Sequence, residues 1–168
     1  MELVDALVLW LHIFAAVLFI GPQAFLFVAA VPAIRSVADA EARARALRVV
    51  TTRFAWLGGG ALAVLLATGI WNYYEAEDAG FIDADDFPRY YFTLFTKLTL
   101  VMIVVMLTAL HGAVFGRKLQ QLQAAGAGEP EIAAVRRWSM ATSVVNFGLS
   151  VVILLLASLL GSDWSKLS

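Results

Sequence analysis

The chain has no cysteine and few charged residues. Without cysteine there is no disulfide framework, thiolate metal site, iron–sulfur cluster or thiol catalysis. Charged residues make up 15% of the 168 residues, whereas about 25% is usual for soluble domains. No block of basic residues suggests a nucleic-acid partner. These absences exclude several common classes of soluble protein.

The chain instead contains long apolar stretches. Hydrophobic residues make up 61% of it, and the mean hydropathy is +0.82. A bilayer core takes about 20 apolar residues per helix, and residues 4–34, 54–73, 92–115 and 138–160 meet that requirement. The first stretch lacks the basic start of a signal peptide, so we interpret it as a retained helix. We predict an all-α, integral membrane, up-down four-helix bundle in a single transmembrane domain of residues 1–168.

Basic residues are concentrated in alternate loops, which fixes an orientation. The loop before the second span and the loop before the fourth contain Arg35, Arg43, Arg45, Arg48, Arg53, Arg117, Lys118, Arg136 and Arg137. Loops rich in Lys and Arg stay in the cytoplasm. Both termini and the acidic loop at residues 75–88 are therefore predicted on the non-cytoplasmic side, and the predicted location is the bacterial cytoplasmic (inner) membrane.

Two cytoplasmic segments, residues 36–50 and 117–123, have the composition of helical extensions. The Ala- and Gly-rich stretch of residues 125–130 then interrupts the chain, and Glu131 is predicted to open the last helix.

Three ionisable side chains, His12, Lys97 and His111, fall inside the spans. Such groups are costly in hydrocarbon and are functional hypotheses by default. The first and third helices run in the same direction, and His12 and Lys97 lie at the same depth near the outer leaflet. At 1.5 Å per residue, His111 is about 20 Å deeper. We therefore expect His12 and Lys97 to cooperate, without His111.

Less specific interpretations remain open for each polar residue. Lys97 could extend its ammonium to the membrane surface along its apolar stem. For His111, a hydrogen bond to a neighbouring helix is the favoured interpretation. For Gln23, Thr68 and Asn146, interhelical hydrogen bonds are favoured over a site role. At 100° per residue, Gln23 shares a helix face with His12, and His111 shares one with Lys97.

Proline, glycine and methionine supply further expectations. Pro22 removes a hydrogen-bond donor and should kink the first helix. Gly58 to Gly60 and the pair Gly112 and Gly116 permit close backbone approach. Met102 and Met106 share a face that points away from that of Lys97, so packing or lipid contact is favoured over copper ligation.

With these residues placed, the chain resembles the superfamily that contains HemJ-type protoporphyrinogen oxidases, CopD-type copper-resistance membrane proteins and related four-helix proteins. The resemblance is carried by Leu11-His12 with the apolar run to Gly21, by Ala67-Thr68-Gly69-Ile70, and by Lys97-Leu98 leading to Leu110-His111-Gly112.

This resemblance implies a site at the paired residues. In HemJ-like proteins a histidine of the first helix and a lysine of the third are tied to heme b, and the matching positions are His12 and Lys97. It implies a heme b or other tetrapyrrole with His12 as axial ligand to iron, and Lys97 as second ligand or as a cation near a propionate. His111 is a weaker cofactor-binding candidate.

Three functions are consistent with these features. The first is a heme b membrane protein that transfers electrons or oxidises a quinol-like or porphyrinogen-like molecule, with a quinone or tetrapyrrole as partner. The second is a non-catalytic accessory subunit of a larger respiratory or photosynthetic membrane complex. The third is copper transport of the CopD type, although two histidines without cysteine make a ligand path across the bilayer hard to assemble.

Overall fold

The computed structural model describes residues 3–80 and 88–162, apart from the side chain of Gln123. Four helices in this part of the chain are long and apolar enough to cross a membrane, which confirms the all-α class and the number of spans. Helix α1 is Leu3–Arg35, α2 is Ala40–Asp78, α3 is Pro88–Leu122 and α4 is Glu129–Leu160. The backbone of α3 stays helical to Ala124.

The chain divides into two compact units, residues 1–80 and residues 81–168. In the first, α1 packs against α2; in the second, α3 packs against α4. Each pair is joined by a short turn, so each unit is a hairpin of two antiparallel helices. The prediction of one transmembrane domain with both termini outside stays a prediction.

The packed face of α1 follows helical spacing. Ala15, Phe19 and Gln23 are buried at intervals of four residues, and His12 is half-buried one turn earlier. On α2, the buried residues that include Ala61 are small, and small residues let two helices approach closely in lipid. The expected shared face of His12 and Gln23 is confirmed.

Gln23 uses its amide within its own helix. Its Nε2 donates to the carbonyl oxygen of Phe19 at 2.9 Å, beside Pro22, which has no N–H to donate. The expectation of an interhelical bond was therefore wrong, because a nearer acceptor is available one turn back. Helix α1 remains α-helical through Pro22 and widens to a π-helix at Leu26–Ala30. This irregularity lies about one turn beyond the proline.

The turn between α1 and α2 is held by two side chains. Asp39 caps α2 by accepting from the backbone N–H of Glu41 at 2.9 Å, and Arg43 donates to the carbonyl oxygen of Val37 at 2.9 Å. The N-terminal cap sets the start of α2 at Ala40, four residues after the predicted start of the extension.

Helix α3 contains a π-helical segment at His111–Gly116, and α4 begins at Glu129, two residues before the predicted start. A Cβ added at Gly112 or Gly116 would meet no described atom within 4 Å, so the expected close approach at this pair is not found in residues 3–80 or 88–162. Gly126, with φ of +65°, forms the turn between the two helices.

Large apolar side chains cover the outer surface of the helices. Met102 and Met106 are 66% and 55% exposed, in agreement with contact to lipid. Trp56 and Trp138, at the ends predicted to be cytoplasmic, are also exposed. This apolar exterior is that of a protein surrounded by a bilayer.

Candidate functional site

His12 is bonded across the α1–α2 interface to a threonine. Its Nδ1 atom lies 2.8 Å from Oγ1 of Thr68, a residue that is 7% exposed. The same hydroxyl lies 2.7 Å from the carbonyl oxygen of Val64, one turn back along α2. A chain of hydrogen bonds thus joins the imidazole to the backbone of the neighbouring helix.

This chain defines the tautomer of His12. A carbonyl oxygen can only accept, so Thr68 gives its single hydroxyl hydrogen to Val64 and accepts the N–H of His12 Nδ1. In the neutral imidazole the lone pair then lies on Nε2. Metal-binding histidines are held in this way, with one nitrogen donating to a neighbouring oxygen and the other bonded to the metal.

Gly69 makes room for the imidazole ring. A Cβ added at this position would lie 3.4 Å from Cε1 and 4.0 Å from Nδ1 of His12. A larger side chain would occupy the space of the ring. The Thr68-Gly69 pair therefore both bonds His12 and lets its ring lie against α2.

An apolar groove lies between α1 and α2, on the side of His12 toward the predicted cytoplasmic end. Its volume is about 300 Å³. The groove is lined by Leu11, Phe14, Ala15, Leu18, Trp56, Leu57, Gly60, Ala61 and Val64. Its apolar walls suit a hydrocarbon chain.

In the second unit, Lys97 and His111 share the packed face of α3. Val104, seven residues from each, is 3% exposed, and Lys97 is half-buried. His111 Nε2 lies 3.5 Å from Oγ of Ser139 on α4, and its ring centroid lies 5.6 Å from that of Phe115. The expected bond from His111 to a neighbouring helix is confirmed.

Two buried oxygens of this unit, Oγ1 of Thr108 on α3 and Oδ1 of Asn146 on α4, have no hydrogen-bond partner within the described part of the chain. The interhelical bond expected for Asn146 is therefore not found at this oxygen. A buried polar atom left without a partner in a folded protein costs about 1–3 kcal/mol.

Of the predicted site residues, the structure joins His12 to Thr68. Lys97 and His111 belong to the other unit, and the pairing of His12 with Lys97 stays a prediction. From the sequence, Thr68 was expected only to bond a neighbouring helix, and its pairing with His12 was not predicted, although the Ala67-Thr68-Gly69-Ile70 sequence was already part of the resemblance.

Within residues 3–80 and 88–162, no group of three His, Cys, Asp or Glu side chains could hold a metal ion.

The comparisons with known proteins give one family. No curated protein and no solved structure matches the chain. The family described as copper resistance protein D matches residues 48–160, a segment that contains Thr68, Gly69, Lys97 and His111 and begins after His12. This match covers more than half of the sequence, so the chain belongs to the copper resistance protein D family of membrane proteins.

Proposed function

We propose that the protein handles copper within the membrane and that His12 is a copper ligand through Nε2. The observation that carries this proposal is the 2.8 Å contact between Nδ1 of His12 and Oγ1 of Thr68, which engages Nδ1, holds the ring against α2 and assigns the metal to Nε2. Imidazole nitrogen is a good ligand for copper. Family membership, which rests on the segment that supplies Thr68 and Gly69, supports copper as the cargo.

The site chemistry follows from these two residues. Thr68 fixes the direction of the imidazole and raises its basicity by accepting its N–H. The low-dielectric surroundings strengthen the bond between a cation and the ring nitrogen, because little water competes for either. His12 would then bind copper through Nε2 while Thr68 holds its ring against α2.

Heme b binding is a second candidate, favoured by a different observation. The described residues contain no cluster of three ligands, whereas a porphyrin supplies four nitrogen ligands of its own and needs only axial ligands from the protein. The His12 imidazole would hold the heme iron through Nε2. Bound heme would supply the redox chemistry for a quinol-like or porphyrinogen-like molecule.

Purification from cells grown with added copper tests both proposals. The protein is extracted in mild detergent, its copper is measured by elemental analysis, and its absorption spectrum is recorded oxidised and reduced. Copper near one equivalent without a Soret band supports copper handling. A Soret band with a positive pyridine hemochrome assay supports heme. Neither copper nor heme, together with co-purification of a large complex, would contradict both and favour the accessory-subunit interpretation.

A further inference from the structure

Polar side chains recur along the facing sides of α3 and α4. We name them the polar seam: Lys97, Thr108 and His111 of α3, with Ser139, Ser143, Asn146 and Ser150 of α4. At 100° per residue, the members on each helix fall within about 60° of one another. Because His111 contacts Ser139, the polar face of α3 lies opposite the polar face of α4.

The same contact sets the register of the two antiparallel helices. With a rise of 1.5 Å per residue, Thr108 lies about 4.5 Å from the level of His111, Ser143 about 6 Å, and Asn146 about 10 Å. Ser150 and Lys97 follow at about 16 Å and 21 Å. Measured along the helix axis, no step between successive members exceeds about 6 Å, close to the length of two hydrogen bonds joined by one water.

The unpaired oxygens lie in the middle of this seam. Thr108 Oγ1 and Asn146 Oδ1 have almost no exposed surface and no partner among the described residues. Ser143 and Ser150 donate to backbone carbonyls at 3.0 and 2.8 Å, which leaves their oxygen lone pairs as acceptors. Buried oxygens without protein partners are the positions that internal water occupies.

We propose that the polar seam is a hydrated path, open at the His111 end, that gives water and protons access to Lys97. Hydroxyl and amide oxygens are poor ligands for Cu(I), so the path suits water and protons better than copper. Lys97 is the ionisable group at its far end and takes up or releases the proton. The proposal concerns the second unit alone and does not depend on copper binding at His12.

Because the natural chain has no cysteine, single cysteines can be used as probes of water along the seam. The variants are Thr108→Cys, Asn146→Cys and Lys97→Cys, with Thr99→Cys as the control. Thr99 is exposed on the opposite face of α3, where it donates to Phe95. Ser143→Cys, a smaller change, replaces either middle variant if it does not fold.

Sealed vesicles are exposed to silver ions on the His111 side, and the thiols that remain are counted by mass spectrometry after denaturation and alkylation. Since a thiol in hydrocarbon stays protonated, we expect the seam thiols to react at least about tenfold faster than Thr99→Cys. Equal rates at Thr108→Cys, Asn146→Cys and Thr99→Cys would show a dry seam and overturn the proposal.

Continuity is tested by blocking the middle of the path. Adding Asn146→Leu to Lys97→Cys should slow the silver reaction, whereas Val145→Leu, at a position 54% exposed, should not. Reaction of Lys97→Cys only from the opposite side would overturn the proposal. All rates should be unchanged in a His12→Ala background, so loss of the copper site and loss of the path give different results.

Discussion

The hydroxyl of Thr68 joins His12 to the backbone of α2: its Oγ1 lies 2.8 Å from Nδ1 of His12 and 2.7 Å from the carbonyl oxygen of Val64. Both helices therefore determine where the imidazole lies and which nitrogen has the lone pair.

Thr68→Val keeps the shape of the side chain but removes the acceptor for His12. We expect copper affinity to fall about 10- to 100-fold, the usual effect of losing the group that orients a metal-binding histidine. Thr68→Ser, which keeps the hydroxyl, should retain most of the affinity. A competition titration with a Cu(I) chelator measures both, and equal affinity for Thr68→Val and the natural protein would contradict the orienting role.

Gly69→Leu should displace the imidazole, because its Cβ would already be in van der Waals contact with Cε1 of His12 at 3.4 Å and the rest of the leucine side chain would need the space of the ring. We expect loss of copper binding with little change in helix content by circular dichroism. Gly59→Leu is the matched control, since a Cβ there meets no described atom within 4 Å and the position is exposed. Similar binding by the two variants would show that Gly69 does not position the ring.

Gln23→Leu removes the side-chain bond to Phe19 next to Pro22. We expect the free energy of unfolding in mixed micelles to fall by about 1 kcal/mol, the usual net contribution of one intramolecular hydrogen bond. Thr96→Val also removes a bond to its own helix, to Phe92 at 2.7 Å, but at an exposed position. A loss at Gln23→Leu no larger than that at Thr96→Val would show that the buried amide adds no stability.

Asp39→Ala removes the N-terminal cap of α2, which costs about 1 kcal/mol in comparable helices. We expect the first turn of α2 to exchange its amide hydrogens faster, with the amide of Glu41 most affected. Asp39→Asn should preserve protection because asparagine is an equally good cap. Unchanged exchange in Asp39→Ala would mean that the turn is held by Arg43 instead.

The arginine distribution predicts that the turn between α3 and α4 is cytoplasmic. In intact cells, a membrane-impermeant maleimide should label Ala79→Cys, after α2, and leave Ala125→Cys unlabelled until the cells are opened. Both positions are exposed. The reverse pattern would invert the orientation and place the His111 end outside.

Much of the fold could be predicted from the sequence because bilayer crossing depends on local properties. Apolar length and charge asymmetry are properties of single segments, so the four helices followed directly. The faces of α1 and α3 that pack also followed, since helical periodicity places His12 with Gln23 and Lys97 with His111.

The partners of these residues could not be predicted in the same way. Helical periodicity shows which residues share a face of one helix. It does not give the rotation and register of the neighbouring helix, and these determine that His12 contacts Thr68. The partner of Gln23 depended on competition between a neighbouring helix and a carbonyl one turn back. The π-helical segments reflect small departures in backbone hydrogen bonding that composition does not reveal.

The proposed metal-binding histidine is His12, held by Thr68. The chain has only two histidines, so His12→Ala and His111→Ala form a matched pair for Cu(I) competition titrations of the purified protein. We predict that His12→Ala loses copper binding while His111→Ala, whose imidazole contacts Ser139, keeps the natural affinity. Copper binding that survives in His12→Ala, or is lost in His111→Ala alone, would contradict the account.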